Sequence, residues 1–385
     1  MADHPADRAT RLVHSGRAPG SRVVNPPVER GSTVLLPDAE ALYGPGRTYG
    51  RRGLAVQDAL RAALAELEGG IGCELAPSGL GAMTLAVLAL TRAGGHVLAS
   101  DSLYGPVRAF CAKFMNRFGV ETEFFPPRAG ADLAERFRET TQLVILESPG
   151  SLSFEVQDLP LLTELARARG ALSLVDNTWG AGVGLKPLDL GADVSMQALT
   201  KYVGGHSDLL MGSLVARDKA VADKLERASR LMGLSVSPDD ASLALRGLRT
   251  LDVRWRQHEA AGLELAAWLE ARTEVARVLH PGLPSHPDHG LWRRDFTGAA
   301  GLFGVILHPA SPAALDRFFA ALSLFSLGFS WGGFESLVIP CDPQIHRTPE
   351  PWAAEGPLLR FWIGLEAVED LKADLARGFG ALHAA

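Results

Sequence analysis

The chain has 385 residues, 47% hydrophobic and 21% charged, with a formal net charge of −6 at pH 7. This is ordinary globular composition, which excludes a disordered or fibrous chain. No Lys/Arg run or basic amphipathic stripe occurs, which argues against nucleic acid or an anionic membrane as partner.

Met1 to Arg11 is charged and lacks the apolar core of a secretory signal. The first fifty residues carry Pro19, Pro26, Pro27, Pro37 and Pro45 with little periodicity. They read as an arm lying on another surface, its own or a neighbour's. Leu54, Leu60, Leu64 and Leu67 then recur at helical spacing. Next come short apolar runs at 96–99, 143–146, 172–175 and 194–196, with helical segments around 82–92, 106–118 and 158–169. Strands alternating with helices predict a mostly parallel sheet covered on both faces, to which 212–216 adds a further strand. One long helical region is expected from Pro238 to about Arg272, followed by a smaller α/β lobe with strands at 304–307, 337–339 and 359–363. The expected division is an arm at 1–52, a large domain at 53–243 and a C-terminal α/β domain at 244–385. Cys73, Cys111 and Cys341 are far apart, odd in number and without C-x-x-C, as expected of free thiols in a reducing cytosol. The longest apolar stretch, Ala82 to Leu90, is too short to span a bilayer, so the chain reads as cytoplasmic.

Two strand ends carry charge. The run 172–175 leads into Asp176, and the run 194–196 leads into Thr200-Lys201-Tyr202-Val203-Gly204-Gly205-His206-Ser207-Asp208. An Asp and a Lys at adjacent strand ends suit a partner that needs both. Pyridoxal phosphate is such a partner, since its aldehyde condenses with a lysine amine and its protonated ring nitrogen pairs with a carboxylate. A free lysine, with a pKa of about 10.4, is a poor nucleophile at neutral pH. A Schiff base avoids the difficulty, because it exchanges with the substrate amine and leaves Lys201 beside the substrate Cα as a base. A buried Asp176 would be costly unless paired with the ring nitrogen. The alternatives for it are a helix cap or a surface Asp.

Other residues fit around that pair. Ser78-Gly79-Leu80-Gly81 opens a helix, where bare N–H groups and the helix dipole attract phosphate. A plain glycine turn is the alternative, and the fragment has neither dinucleotide nor Walker spacing. Thr200 offers a phosphate hydroxyl. Tyr104 precedes a helix and either stacks on a flat ring or packs as an ordinary aromatic. Arg360, inside an apolar strand, suits a substrate α-carboxylate through its two-pronged guanidinium, or else an internal ion pair. His286-x-x-His289 has ligand-like polarity, but its prolines and polar neighbours read as a solvated turn and no metal is expected.

In order and spacing these residues resemble the cysteine/methionine-metabolism branch of fold-type I pyridoxal phosphate enzymes. Within that branch the chain is similar to the bacterial cystathionine β-lyases. The resemblance runs from Thr10-Arg11-Leu12-Val13-His14 to Ile363-Gly364-Leu365-Glu366. It is most specific around Lys201, and Phe329-Ser330-Trp331-Gly332-Gly333-Phe334-Glu335-Ser336 is the part that resembles a β-lyase. It implies an aminotransferase-like α/β fold, with 53–243 as the cofactor-binding domain. It implies Lys201 as the Schiff-base lysine, Asp176 on the ring nitrogen and Tyr104 on the ring face. Gly79 and Leu80 would offer N–H groups to phosphate, and Thr200 a hydroxyl. Tyr49 and Arg51 would reach the phosphate of a neighbouring subunit, in a homotetramer built as a dimer of dimers. Arg360, assisted by Ser330, would hold the substrate carboxylate, and Trp331 would line the distal pocket, with Tyr49 also near substrate.

Two departures stand out: Ala198 where many members carry Ser, and Ser151 where many carry Asn. The implied reaction is β-elimination from cystathionine to homocysteine, pyruvate and ammonia, with Tyr104 or Lys201 handling the leaving-group proton. A γ-type relative (γ-synthase, γ-lyase or homoserine sulfhydrylase) is the first alternative. A broader cystine or cysteine-conjugate β-lyase and a non-catalytic cofactor-binding regulator also remain open.

Overall fold

The structure, a computed structural model, describes residues 6–17, 20 and 22–383. Two short helices, α1 (Arg8–His14) and α2 (Ala39–Tyr43), interrupt the N-terminal arm. Part of that arm lies on its own chain: Leu12 is buried, Arg8 pairs with Asp252 and Arg249 donates to the Ser15 carbonyl. Leu35 and Tyr43, further along, stay almost fully exposed.

The alternation that follows is β1 (Gly72–Ala76), β2 (His96–Ser100), β3 (Glu121–Phe125), β4 (Thr141–Glu147), β5 (Leu172–Asp176), β6 (Val194–Ala198) and β7 (Gly212–Ala216). They form one sheet in the order β1-β7-β6-β5-β4-β2-β3. Only β7 runs against its neighbours. The sheet is therefore mostly parallel, and its central strands are Val/Ile/Leu-rich because both faces are covered. The helices of this half are α3 (Ala55–Glu68), α4 (Gly79–Leu90), α5 (Gly105–Ala109), α6 (Leu159–Ala168) and α7 (Lys219–Leu231). Helix α3 buries Leu60, Leu64 and Leu67 along one stripe, whereas α4 is apolar nearly all round and lies within the core.

The remaining elements are α8 (Pro238–Arg249), α9 (Leu251–Glu270), β8 (Val275–Leu279), α10 (His289–Asp295), β9 (Leu302–Leu307), α11 (Pro312–Ala321), β10 (Ser326–Leu327), β11 (Leu337–Pro340), β12 (Leu358–Trp362) and α12 (Val368–Leu382). Their strands make a second sheet, ordered β10-β11-β12-β9-β8. It packs on a core that includes Phe303, Phe318, Phe361 and Phe379. Among the described residues no helix is long and apolar enough to cross a membrane.

Three expectations need correction. The long helix from Pro238 is two helices, broken at Thr250, whose hydroxyl bonds back to the Gly247 carbonyl at 3.1 Å and competes with the helical ladder. The helix at 106–118 keeps α geometry only through Ala109, then widens over Phe110–Phe114 and tightens over Met115–Phe118. The edge strands β1 and β3 had no counterpart in the sequence reading. They carry Glu74, Glu121 and Glu123, and charged edges break the apolar signature that central strands show.

Candidate active site

Strands β4, β5 and β6 are neighbours in the sheet, and each ends at the same rim. Their last residues are Glu147, Asp176 and Ala198. A parallel sheet characteristically binds ligands at this carboxyl edge. Here the rim opens into a cavity of about 410 Å³. Gly79, Leu80, Tyr104, Asp176, Thr200 and Lys201 line it, and Ser330, Trp331 and Arg360 reach it from the second sheet and its loops.

Asp176 is held on one side only. The Thr178 hydroxyl and backbone N–H donate to its Oδ1 at 2.5 and 2.9 Å, leaving Oδ2 without a protein partner among the described residues. Burial raises its carboxyl above the usual range, and the Thr178 bonds and Lys201 oppose that rise. It is neither a helix cap nor a surface Asp.

Lys201 follows β6 through a tight turn, its N–H donating to the Ala198 carbonyl at 3.0 Å. Its Nζ lies 2.6 Å from the Ser330 hydroxyl and 5.4 Å from the centre of the Trp331 ring. Burial, then the charge of Arg360, lowers its pKa to about 8, against the pull of Asp176. The loop at 330–333 can lie on Lys201 because Gly332 has no side chain. A Cβ there would sit 2.7 Å from the Lys201 carbonyl carbon, at a φ of +88°.

Arg360 stands mid-strand in β12, between Gly304 and Ile339. Its Nη2 donates to the Ser330 carbonyl at 3.0 Å, and no Asp or Glu pairs with it among the described residues. The internal ion pair is thereby set aside. Burial lowers the guanidinium pKa, the signature of a cation without its counter-charge.

Tyr104 is half exposed in the cavity and so is not an ordinary core aromatic. Its N–H donates to Glu147 Oε2 at 2.7 Å. Glu147 escaped the sequence reading, although like Asp176 it is an acid ending an apolar run. Burial, with Asp176 beside it in register, pushes its carboxyl well above the usual range.

Helix α4 starts at the rim. Ser78 caps it by accepting from Gly81 N at 2.9 Å, which leaves the first-turn N–H groups of Gly79 and Leu80 uncommitted. A Cβ on Gly79 would meet the Ala198 Cβ at 2.6 Å, so both positions must stay small. The Thr200 hydroxyl accepts from Met211 N at 3.1 Å and faces the Met211 carbonyl at 3.3 Å, so a phosphate would compete for its hydrogen. Ser151 lines the cavity, its N–H fixed on the Ser102 carbonyl.

Tyr49 and Arg51 are not among the residues of this cavity. They lie together, ring to guanidinium at 5.3 Å, and Arg51 lines a separate cleft with Arg47, Arg52 and Arg61. The expected solvated turn at His286 is corrected. His286 is 3% exposed, its Nδ1 accepts from Asp288 N, and Asp288 pairs with Arg128. No group of three potential metal ligands occurs among the described residues.

An amine of lowered pKa, a carboxylate with one free oxygen, and a helix start open to an anion meet in one cavity. That set fits pyridoxal phosphate, and Arg360 remains for a substrate carboxylate. The family model "Cys/Met metabolism PLP-dependent enzyme" matches residues 9–380. The chain belongs to this family. Pyridoxal 5'-phosphate is accordingly its cofactor, and an amino acid its class of substrate.

Among the relatives of this Cys/Met metabolism enzyme is a putative cystathionine beta-lyase of Rhizobium johnstonii. It is 45% identical over 386 residues, covering 97% of this chain and 96% of the relative. The cystathionine beta-lyase of Escherichia coli (strain K12) is 41% identical, covering 99% of this chain and all of the relative. The crystal structure of cystathionine gamma synthase from Xanthomonas oryzae pv. oryzae in complex with cystathionine superposes with a TM-score of 0.92. It is 34% identical and covers 98% of this chain and 99% of that one. The fold is thus that of the fold-type I enzymes.

Proposed function

We propose that the chain is a carbon–sulfur lyase that cleaves L-cystathionine by β-elimination, giving homocysteine, pyruvate and ammonia. The observation that carries this reading is the wall beside Lys201. Phe329 and Trp331 line it, and the loop from Phe329 to Gly333 carries no Asp or Glu. That loop offers no carboxylate for a second proton transfer further along the substrate.

The bound cofactor supplies an electron sink conjugated to the substrate α-carbon. Lys201 would hold it through Nζ, and as a free amine Nζ would take the Cα proton. Ser330 Oγ aims that nitrogen. Asp176, held by Thr178 through Oδ1, would offer Oδ2 to the ring nitrogen and keep it protonated. Arg360 grips the substrate carboxylate, its fork steadied by the Ser330 carbonyl. Tyr104 would cover the ring, and it or Lys201 would give a proton to the departing thiolate. The released enamine hydrolyses to pyruvate and ammonia. Gly79, Leu80 and Thr200 would hold the phosphate.

Tyr49 and Arg51, which do not line their own chain's cavity, would serve the phosphate of a neighbouring subunit, with Tyr49 also near its substrate. That sharing needs at least a dimer, and the resemblance to the family extends it to a homotetramer, a dimer of dimers, in the cytoplasm. Incubation of the purified protein with cystathionine tests the reading. Pyruvate with homocysteine is expected, whereas 2-oxobutyrate with cysteine would assign the γ-type reaction instead.

A further inference from the structure

On the sheet face opposite the cavity lies a buried carboxylate that the reaction does not use. Glu68 is the last residue of α3 and is 1% exposed. Asn177 Nδ2 donates to both of its oxygens at 3.1 Å, and Gln197 Nε2 donates to Oε1. Those two amides belong to the strand ends that carry the cavity's charges. Side chains alternate across a sheet, so Asp176 and Ala198 face the cavity while Asn177 and Gln197 face Glu68. The Asn177 N–H donates to the Met196 carbonyl at 2.8 Å, just beyond the last paired rung of β5 and β6. Glu68 therefore ties the two strands together where their ladder stops.

We propose that Glu68 is a positioning residue, which pins Asn177 and Gln197 from beneath and so fixes the placement of Asp176 against Lys201. The proposal rests on the roles assigned above to Asp176 and Lys201. A carboxylate suits the position because two amide donors converge on it and it has only acceptors to offer. The site is closed: a Cβ on Gly182 would lie 3.2 Å from Glu68 Cδ, and Lys186 gives its amine to the Leu67 carbonyl. Burial raises the Glu68 carboxyl above the usual range, while the bonds from Gln197 and Asn177 and the charge of Lys186 oppose the rise. A Glu68→Gln change keeps the size but sets an NH₂ group against an amide donor. That leaves a buried donor unsatisfied in the pair that holds the strand ends.

The test titrates the visible absorbance band of the lysine-linked cofactor against pH, and separately measures cofactor binding to the cofactor-free chain by fluorescence quenching. In Glu68→Gln the band's titration midpoint is expected to move by about half a pH unit or more, with cofactor binding weakened roughly tenfold. Gln197→Met, which loosens only one strand, should move both readouts in the same direction and serves if Glu68→Gln does not fold. A folded variant that melts at a lower temperature but keeps the parent's midpoint and affinity has lost a structural contact only, and that result overturns the proposal. Absence of the band in the unaltered chain would reject the Lys201 assignment and this proposal with it. An unchanged midpoint with the band present rejects the Glu68 role alone.

Discussion

The Lys201 amine and the Ser330 hydroxyl, 129 residues apart in sequence, lie 2.6 Å from each other. Ser330 also accepts from Arg360 through its carbonyl, and it takes a left-handed backbone, φ 79°, to do both. A non-glycine residue held there stores strain, as residues at working sites often do. One residue thus couples the proposed base to the proposed carboxylate clamp. Ser330→Ala should keep the carbonyl contact and lose the hydroxyl. A hydrogen bond to a charged group contributes about 1.5 kcal/mol or more, so kcat/KM should fall roughly tenfold. Steady-state kinetics with cystathionine checks this.

Lys201→Ala should remove the visible absorbance band and turnover together. Absorbance and pyruvate release on the same preparation decide it, and retained turnover would discard the assignment.

The lowered pKa of Lys201 sets a pH dependence for loading. Only the neutral amine attacks an aldehyde, and burial brings its pKa to about 8. Uptake of pyridoxal phosphate by the cofactor-free chain should therefore quicken as pH rises through about 8 and level off above it. Stopped-flow absorbance follows the uptake. A rise that continued unchanged toward the ordinary lysine range would show an amine that burial does not perturb.

Arg360→Lys keeps the charge and loses the fork. The KM for cystathionine should rise about tenfold or more, since a hydrogen bond to a charged group is removed. An unchanged KM would count against the clamp.

Gly332→Ala should destabilise the fold and disturb the lysine. A methyl group there is forced to within 2.7 Å of the Lys201 backbone in a left-handed conformation, so the cost is about 1–3 kcal/mol. Chemical denaturation measures it.

Much of the architecture was legible along the chain. Short Val/Ile/Leu runs separated by helical spacing can satisfy their backbone and bury both faces only as a covered parallel sheet, so the order of elements implies the larger half of the fold. Asp176 was legible because it ends such a run, and Lys201 because small and polar residues crowd the loop after β6. Glu147 carries the same signal as Asp176, an acid ending an apolar run. The edge strands β1 and β3 and the break at Thr250 were not legible. Charge hides an edge, and a local side-chain bond can stop a helix whose apolar spacing continues.

What the sequence by itself determined is which residues are chemically able and which face of each element turns inward. Only the tertiary structure decided which of them meet. It brought Ser330 and Arg360 from the second sheet onto Lys201, left Tyr49 and Arg51 outside the same cavity, and set Glu68 beneath two strand ends it never adjoins in sequence. The physical reason is that hydrophobic periodicity encodes burial for one element at a time. The meeting of distant polar groups depends on how whole elements pack, and no local pattern records that.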